Sequence, residues 1–511
     1  MVTDHSALPA VLAVVLVTLA TLAIGTWGLR FSRTTSDFLV ASRTVRPRLN
    51  ASAIGGEYLS AASFLGVAGL VMVFGADMLW YPVGWTAGYL VLLVLVAAPL
   101  RRSGAYTLPD FAEARLASRR VRAACSVIVL AVGWLYLVPQ FQGAGITLHS
   151  VIGLPNWVGA ASVATIVLIN VVSGGMRSIT FVQAFQYWLK LTALLVPAIF
   201  LVIAWIGDGA PHPVDAPNSG TSAELWTLPL SSGGHGLYLT YSLIMATFLG
   251  TMGLPHVVVR FYTNPDGQAA RRTTLTVLAL LGFFYLLPPV YGALGRVYAD
   301  EVAATGRTDV LVLELPQLML PGTTGDLLTA LIVGGAFAAF LSTSSGLAIA
   351  VAGVIGQEIT RGRLGRWRPS GITAFRTAAV VAVSIPCSMA LLSPDLGVAR
   401  AVGLAFAVAA STFCPLLVLG IWWRGLTATG ALAGLLVGGT GCGFAVGWSL
   451  FNTPGDNWAG ALISQPAAWS VPAAFLTMWL VSLATRRSVP GHVRRFMVRL
   501  HTPEGVDLDR G

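Results

Sequence analysis

Residues 55–66 read GGEYLSAASFLG and place one carboxylate, that of Glu57, among glycines, alanines and serines inside an apolar stretch. Glycines recur through the surrounding segment, residues 49–75, where an uninterrupted lipid-facing helix would carry leucine, valine and phenylalanine. Backbone groups that a helix break frees at membrane depth must be satisfied by protein or by a water-filled cavity. This stretch therefore predicts a broken helix that faces the protein interior.

The composition of the whole chain is that of a polytopic membrane protein. Of 511 residues, 55% are hydrophobic and 10% are charged, and the mean hydropathy is +0.76. Apolar stretches of about 20 residues, each sufficient to cross a ~30 Å hydrocarbon core, recur along the chain. We predict about 13 transmembrane helices, at residues 7–29, 50–74, 78–100, 123–150, 155–173, 182–206, 237–262, 275–298, 326–356, 375–393, 400–423, 428–451 and 468–485.

The arginines predict the topology. Basic residues accumulate in cytoplasmic loops, and here they fall in alternate loops, whereas the loop 207–236 has no lysine or arginine. Asp4 precedes the first span and Arg30 and Arg33 follow it, which is the reverse of a secretory signal. We expect a retained first helix with its N-terminus outside and a cytoplasmic C-terminus. The net charge of +10 then reflects topology beside a lipid bilayer, and nucleic acid is not implied.

A second interrupted segment, LYLTYSLIMATFLGTMGLPHVVVRFYT at residues 237–263, contains Gly250, Gly253 and Pro255. It lies five predicted spans after the first, and an odd number gives two consecutive units opposite orientations in the membrane. Interrupted segments in matching positions of inverted repeats point to the central site of a transporter. The alternative is that the glycines only allow close helix packing.

A third segment, GGAFAAFLSTSSG at residues 334–346, places Ala339, Ser342 and Thr343 on one side of a helix. Two hydroxyls and a backbone carbonyl are hard oxygen ligands of the kind that Na⁺ prefers. Serine and threonine in membrane helices also bond back to their own helix or to a neighbour. On this segment alone, the second interpretation is the stronger.

Six segments together resemble the sodium/solute symporter family, and within it the cation/acetate and related monocarboxylate symporters. The similarity runs in order from about residue 35 to residue 485. The segments are GEYLSAASFLG (56–66), AYTLPDFAEARL (105–116), PQFQGAG (139–145), GGMRSITFVQ (174–183), GLPHVVVRFYT (253–263) and FAAFLSTSSG (337–346).

The resemblance implies an all-α membrane protein with the LeuT-like fold, in which two inverted five-helix repeats are preceded by one extra helix and followed by two. It also implies secondary active transport driven by an ion gradient. The expected parts are an N-terminal helix and loop (1–48), the first repeat (49–206), an extracellular loop (207–236), the second repeat (237–423), the C-terminal helices (424–485) and a cytoplasmic tail (486–511).

By position, the resemblance implies a central Na⁺ site. Its ligands would be the backbone oxygens of Gly56, Leu59 and Ala339 and the hydroxyls of Ser342 and Thr343. For the hydroxyl pair, this agrees with the ion-ligand interpretation and reverses the preference stated above.

The resemblance also places His256 and Arg260 at an inner gate at the cytoplasmic end of the second broken helix. Glu57 stands where the acetate branch tends to have Asp. A carboxylate at membrane depth is a functional hypothesis by default, and Glu57 could support a cation, carry a proton or pair with a basic group. Lys190, the only lysine, is a conceivable partner, although snorkelling to the headgroups is the preferred interpretation.

A small anionic solute needs hydrogen-bond donors, which the N-termini of half-helices supply without a buried arginine. After Pro139, the glutamines of PQFQGAG could instead satisfy the broken backbone of their own helix. Aromatic residues such as Tyr58 and Trp134 would wall the cavity or pack in the core. The candidate substrate-binding residues are Ser60, Ser63, Gln140, Gln142, Thr251, Met252 and Gly253.

The sequence thus predicts Na⁺-coupled symport of a small monocarboxylate, such as acetate or propionate, across the cytoplasmic membrane by alternating access. The alternatives are coupling to H⁺, or Na⁺ symport of an amino acid or sugar. No HExxH, GxSxG turn or phosphate loop indicates an enzyme, whereas a channel is harder to exclude. The four cysteines lack CxxC spacing and indicate no metal site, and nothing indicates an oligomeric state.

Overall fold

A computed structural model describes residues 4–28, 30, 41–213, 226, 235–361, 370–393, 397–452, 454–455 and 457–504. Within these ranges all regular secondary structure is helical. In chain order the α-helices are α1 (Asp4–Gly28), α2 (Pro47–Tyr58), α3 (Val67–Phe74), α4 (Trp80–Val91), α5 (Ala97–Arg102), α6 (Leu108–Leu116), α7 (Arg119–Ile152), α8 (Asn156–Gly207), α9 (Gly236–Gly250), α10 (Pro255–Phe261), α11 (Gly267–Phe284), α12 (Leu287–Tyr298), α13 (Asp300–Thr305), α14 (Leu311–Met319), α15 (Thr323–Thr360), α16 (Gly371–Leu392), α17 (Val398–Trp422), α18 (Ala428–Phe451), α19 (Trp458–Ser464), α20 (Ala467–Ala484) and α21 (Val493–His501).

Ten continuous helical runs of the described chain are long and apolar enough to cross a membrane, or up to 11 if the bent pair α9–α10 is one span. The predicted count of 13 is not confirmed, because two of these runs each cover two predicted spans. The run of α8 has 52 residues, which is about 78 Å of helix against a ~30 Å hydrocarbon core. It contains Gly175 with φ 59° and ψ −162°, and the run Ala62–Arg102 contains Gly75 with φ 70°.

Both helix breaks predicted from the sequence are present. Helix α2 ends at Tyr58, Leu59 leaves the helical region with ψ 87°, and helical structure resumes at Ala61. In the second segment a 3₁₀ turn follows α9, Leu254 is extended, and α10 begins with a bend of 44°. The broken segments therefore expose backbone groups inside the protein, which neighbouring side chains must satisfy.

Close packing brings the first broken segment against α8 and α15. A Cβ atom on Gly56 would lie 2.1 Å from the carbonyl oxygen of Gln183, and one on Gly55 would lie 2.8 Å from the ring of Tyr187. These glycines therefore allow close packing, but packing is not their only feature, because a helix break follows them. Helix α15 is largely enclosed, since residues 332–356 are all buried.

The short helices α6 and α21 make contacts that link longer helices of the fold. Arg115 of α6 donates to the carbonyl oxygens of Gly420 and Trp423 at 2.9 and 3.0 Å, at the C-terminus of α17. Burial lowers the pKa of Arg115 to about 10, so this guanidinium stays protonated at neutral pH. Helix α21, within the predicted tail 486–511, packs against α5 and α6. Most of the predicted loop 207–236, and residues 505–511, lie outside the described residues.

Candidate functional site

The predicted ion ligands converge at the break after α2. The carbonyl oxygens of Gly56 and Leu59 share one hydrogen-bond donor with Oγ of Ser342 on helix α15, where Ser342 and Thr343 are fully buried. Helix α8 packs against both elements and contributes a third side chain, that of Lys190. The three helices thus meet at a small buried cluster of oxygen atoms.

Lys190 lies within this cluster. Its Nζ donates hydrogen bonds to the carbonyl oxygen of Gly56, to that of Leu59 at 2.7 Å and to Oγ of Ser342 at 3.0 Å. The side chain is fully buried, so the expectation that Lys190 snorkels to the headgroups is wrong. The amine instead binds three of the oxygens that the family resemblance assigned to Na⁺.

The remaining predicted ligands have partners of their own. The Ser342 hydroxyl donates to the carbonyl oxygen of Ala339 at 3.1 Å, and the Thr343 hydroxyl donates to the carbonyl oxygen of Glu57 at 2.6 Å. Because the Ser342 hydrogen is used in this way, its oxygen accepts from Lys190. Three acceptors therefore match the three N–H groups of a protonated lysine.

Glu57 is paired with an arginine. Its Oε2 accepts from Nε of Arg260 at 2.6 Å, and the side chains are 2% and 0% exposed. Arg260 also donates from Nη1 to the Thr180 hydroxyl at 2.9 Å. The pairing interpretation of Glu57 therefore matches the geometry, but the basic partner is Arg260 of α10. Lys190 makes no ion pair with Glu57 among the described residues.

The two residues expected at an inner gate have different surroundings. Arg260 connects α10 to α2 through Glu57 and to α8 through Thr180. His256 is fully buried and lies edge-on to Tyr136, with 5.3 Å between ring centroids. Neither ring nitrogen of His256 has a hydrogen-bond partner in the described part of the chain. Of these two residues, Arg260 is therefore the one whose side chain bonds to the first broken segment.

Gln140 completes the first helix break. Its Oε1 accepts the backbone N–H of Ala61 at 3.0 Å, where the helix resumes. A glutamine was expected either to bind the substrate or to satisfy its own broken helix. Gln140 donates from Nε2 to the carbonyl oxygen of Tyr136 in its own helix at 3.4 Å, and it also satisfies the backbone of the other helix. Gln142 lies apart from this cluster, donating to Oγ of Ser393 at 3.2 Å beside a separate cavity of about 620 Å³.

The other candidate substrate residues surround the same break. Ser63 and Tyr285 share a hydrogen bond of 2.8 Å between their hydroxyls, and Thr251 and Tyr58 share one of 2.9 Å. Thr251 lies in the second break, so this last bond joins the two interrupted segments. Ser60 and Met252 are also buried there, and a Cβ atom on Gly253 would lie 2.6 Å from the carbonyl oxygen of Ala409.

Aromatic residues enclose these polar groups. Tyr58 is edge-on to Tyr89 at 4.8 Å between ring centroids, and Phe406 lies 5.8 Å from Trp85 and 5.9 Å from Tyr136. Tyr58 was expected either to wall the cavity or to pack in the core. Trp134 lies elsewhere, along an apolar groove between α7 and α18. Trp85 and Tyr89 lie four positions apart on α4, a spacing that indicates a shared helix face, whereas Phe406 comes from α17. Only the packing of α4 against α17 brings the three rings together.

Solved transporters share this architecture. A structure described as the substrate-bound outward-open state of a Na⁺-coupled sialic acid symporter superimposes with a TM-score of 0.69 and 15% identity, over 92% of this chain and 98% of that one. Mhp1, a nucleobase-cation-symport-1 family transporter in a closed conformation, gives a TM-score of 0.57 and 12% identity, over 90% and 98% of the two chains. The fold is therefore that of multi-pass secondary transporters and not of an enzyme.

Sequence comparison defines the family. The family model for the sodium:solute symporter family matches residues 38–438, and the chain belongs to that family. The uncharacterized symporter YwcA of Bacillus subtilis is 31% identical over 90% of this chain and 91% of its own length. A monocarboxylic acid transporter of Corynebacterium glutamicum is 31% identical over 89% and 88%. Membership implies a small solute and coupling to Na⁺.

Proposed function

We propose that this protein imports a small monocarboxylate, such as acetate or propionate, by cation-coupled symport with alternating access. The similarity to a monocarboxylic acid transporter supports this substrate class. In the proposal the broken helices belong to inverted repeats at residues 49–206 and 237–423, in the cytoplasmic membrane, with the N-terminus outside and the C-terminus cytoplasmic. The odd spacing of the breaks and the distribution of arginine support that arrangement.

One observation carries the proposal of an anionic solute. Trp85 Nε1 and Tyr89 Oη are buried beside the broken helix and have no hydrogen-bond partner among the described residues. A buried polar group without a partner costs free energy, and a carboxylate supplies the acceptors that these donors need. Arg260 and Lys190 already bind Glu57 and backbone oxygens. The donors left to bind a solute are therefore the neutral groups of Trp85 and Tyr89, which suit a small solute with a single negative charge.

The coupling ion has two candidates. Family membership implies Na⁺, whereas the oxygens expected to bind it accept hydrogen bonds from Lys190. Because Lys190 occupies these oxygens, H⁺ is the second candidate for the coupling ion. Inward movement of one positive charge with each carboxylate would cancel the charge that the solute carries, so that membrane potential would not oppose uptake.

Transport by purified protein in proteoliposomes tests the substrate and the ion separately. Counterflow needs no ion gradient, so exchange of labelled acetate, propionate or pyruvate reports the solute alone, with an amino acid and a sugar as comparisons. We expect the protein to exchange labelled monocarboxylate, and we expect an excess of unlabelled monocarboxylate to inhibit that exchange competitively. Imposed Na⁺ and pH gradients then report the coupling ion. Exchange of the amino acid or sugar, without any monocarboxylate, would contradict the proposal.

A further inference from the structure

Lys190 is held in the way that a protein holds a bound cation. A buried charge must be paired or coordinated, yet no carboxylate of the described residues forms an ion pair with Lys190, and Glu57 pairs with Arg260 instead. Two backbone carbonyls and one hydroxyl surround the ammonium instead. These are the ligand types, from the same residues, that the family resemblance assigned to sodium.

The cluster does not fit sodium as well as lysine. Gly56, Leu59 and Ser342 already accept from Nζ. The Thr343 hydroxyl is directed at the carbonyl oxygen of Glu57. A metal ion bound to the same oxygens would lie in contact with the ammonium, and two like charges at that distance repel strongly. Lysine and sodium therefore exclude one another here.

We propose that the ammonium group of Lys190 replaces Na⁺ at this site, as a cation tethered to α8. It joins the broken helix α2 to α15, which is the connection that a bound sodium would otherwise make. Transport then needs no Na⁺ at this position, although the chain belongs to a family whose members couple to sodium. Where uptake is the readout, this inference rests on the proposed function; sodium binding itself does not depend on the solute.

Thermal unfolding tests the inference without any solute. We compare apparent Tm in NaCl and in choline chloride at equal ionic strength, for the wild type and for Lys190→Ala. The wild type is expected to show no Na⁺-specific change. Removing the ammonium leaves the oxygens free to bind sodium, so Lys190→Ala is expected to gain a Na⁺-specific rise in Tm of several degrees, because a ligand that binds only the folded state stabilises it.

Matched double variants show whether the gained sodium response uses these oxygens. Adding Ser342→Ala to Lys190→Ala removes one ligand and should abolish the Na⁺-specific rise in Tm. Adding Ser344→Ala instead deletes a buried hydroxyl two positions along α15, which points to a different side of the helix, and should leave the rise intact. The inference is overturned if Lys190→Ala shows no Na⁺-specific rise in Tm. It is also overturned if both double variants keep that rise.

Wild-type transport gives the second test, and it holds even if Lys190→Ala fails to fold. Uptake in Na⁺-free choline medium is expected to equal uptake in Na⁺ medium within about twofold. The inference would be overturned if wild-type uptake depended on Na⁺ and the wild type also showed a Na⁺-specific rise in Tm that Ser342→Ala removed. If no monocarboxylate exchanges but the predicted Tm pattern appears, the proposed function fails and the tethered cation stands.

Discussion

Glu57 and Arg260 form an ion pair that is withdrawn from solvent, with side chains 2% and 0% exposed. Glu57 also fills space that no other side chain could share, since a Cβ atom on Gly346 would lie 2.0 Å from its Oε1. Removing one partner of a buried pair costs about 3–5 kcal/mol, because the other charge is left uncompensated. The pair therefore holds α10 against α2, because separating the two helices would leave a buried charge without its partner.

Glu57→Gln is expected to lower the stability of the protein by about 3–5 kcal/mol, with loss of transport, because Arg260 remains buried without its carboxylate. Thermal unfolding of the variant measures the effect. Glu57→Leu combined with Arg260→Met should recover part of the loss. Glu301→Gln is the control, since Glu301 is exposed and its substitution should cost less than ~1 kcal/mol. Equal effects at the two positions would contradict this account.

Trp85→Phe and Tyr89→Phe should each keep the aromatic packing and remove one donor. If the donors bind a carboxylate, the loss of about 1.5–3 kcal/mol for each hydrogen bond to a charged group corresponds to a roughly 10- to 100-fold rise in KM. Initial rates of acetate or propionate uptake measure it. Trp134→Phe is the matched control, because Trp134 lies along the apolar groove between α7 and α18. A similar rise in KM for all three variants would remove the case for these donors.

At the scale of the element, the break after α2 depends on a side chain from another helix. Leu59 and Ser60 leave the helix, and Gln140 of α7 accepts the N–H of Ala61 where it resumes. The sequence indicated the break through its glycines and serines, since such residues weaken a helix locally. It could not indicate which glutamine faces the break, because that depends on how α7 packs against α2.

Gln140→Leu is expected to destabilise the protein by about 1–3 kcal/mol, since it leaves the Ala61 N–H buried without an acceptor. The apparent Tm and the rate of counterflow are the measurements. Gln142→Leu should have a smaller effect, because Gln142 is only half-buried and lies beside an open cavity. A larger loss for Gln142→Leu would contradict this role for Gln140.

Gly346→Ala should destabilise the protein although alanine favours a helix, because the added methyl would displace Glu57 from its place beside α15. The matched control is Gly443→Ala in α18, where no atom lies within 4 Å of the added Cβ. There the higher helix propensity of alanine should raise stability by up to ~1 kcal/mol. Thermal unfolding of the two variants, with opposite expected signs, is the measurement. A stabilising Gly346→Ala would show that the contact with Glu57 is not restrictive.

For the whole molecule, hydropathy and the positions of glycine and proline sufficed to predict a membrane protein with two broken helices. The partners across the fold could not be predicted in the same way. Lys190 is 134 positions from Gly56, and Arg260 is 203 positions from Glu57. Charge alone made both basic residues eligible partners of Glu57, and only the packing of α8 and α10 decides between them.

The C-terminal helix connects the end of the described chain to an early part of it. Phe496 of α21 packs against Phe111 of α6, with 6.2 Å between ring centroids, and Arg499 donates to the carbonyl oxygen of Arg102 at 3.1 Å. Phe496→Ala should release α21 and make it accessible to limited proteolysis, without unfolding the remaining helices. Val498→Ala, at a position 47% exposed, is the control that should leave cleavage unchanged. Equal cleavage of both variants would contradict the docking of α21.

The solitary lysine has a practical consequence for spectroscopy. Because the chain contains no other lysine, protein grown on lysine labelled with ¹⁵N at Nζ carries one labelled ammonium group, at the junction of α2, α8 and α15. Its NMR signal is free of overlap and reports the surroundings of that junction directly. Recording it with and without solute would show whether the three helices separate during the transport cycle, with no engineered probe in the protein.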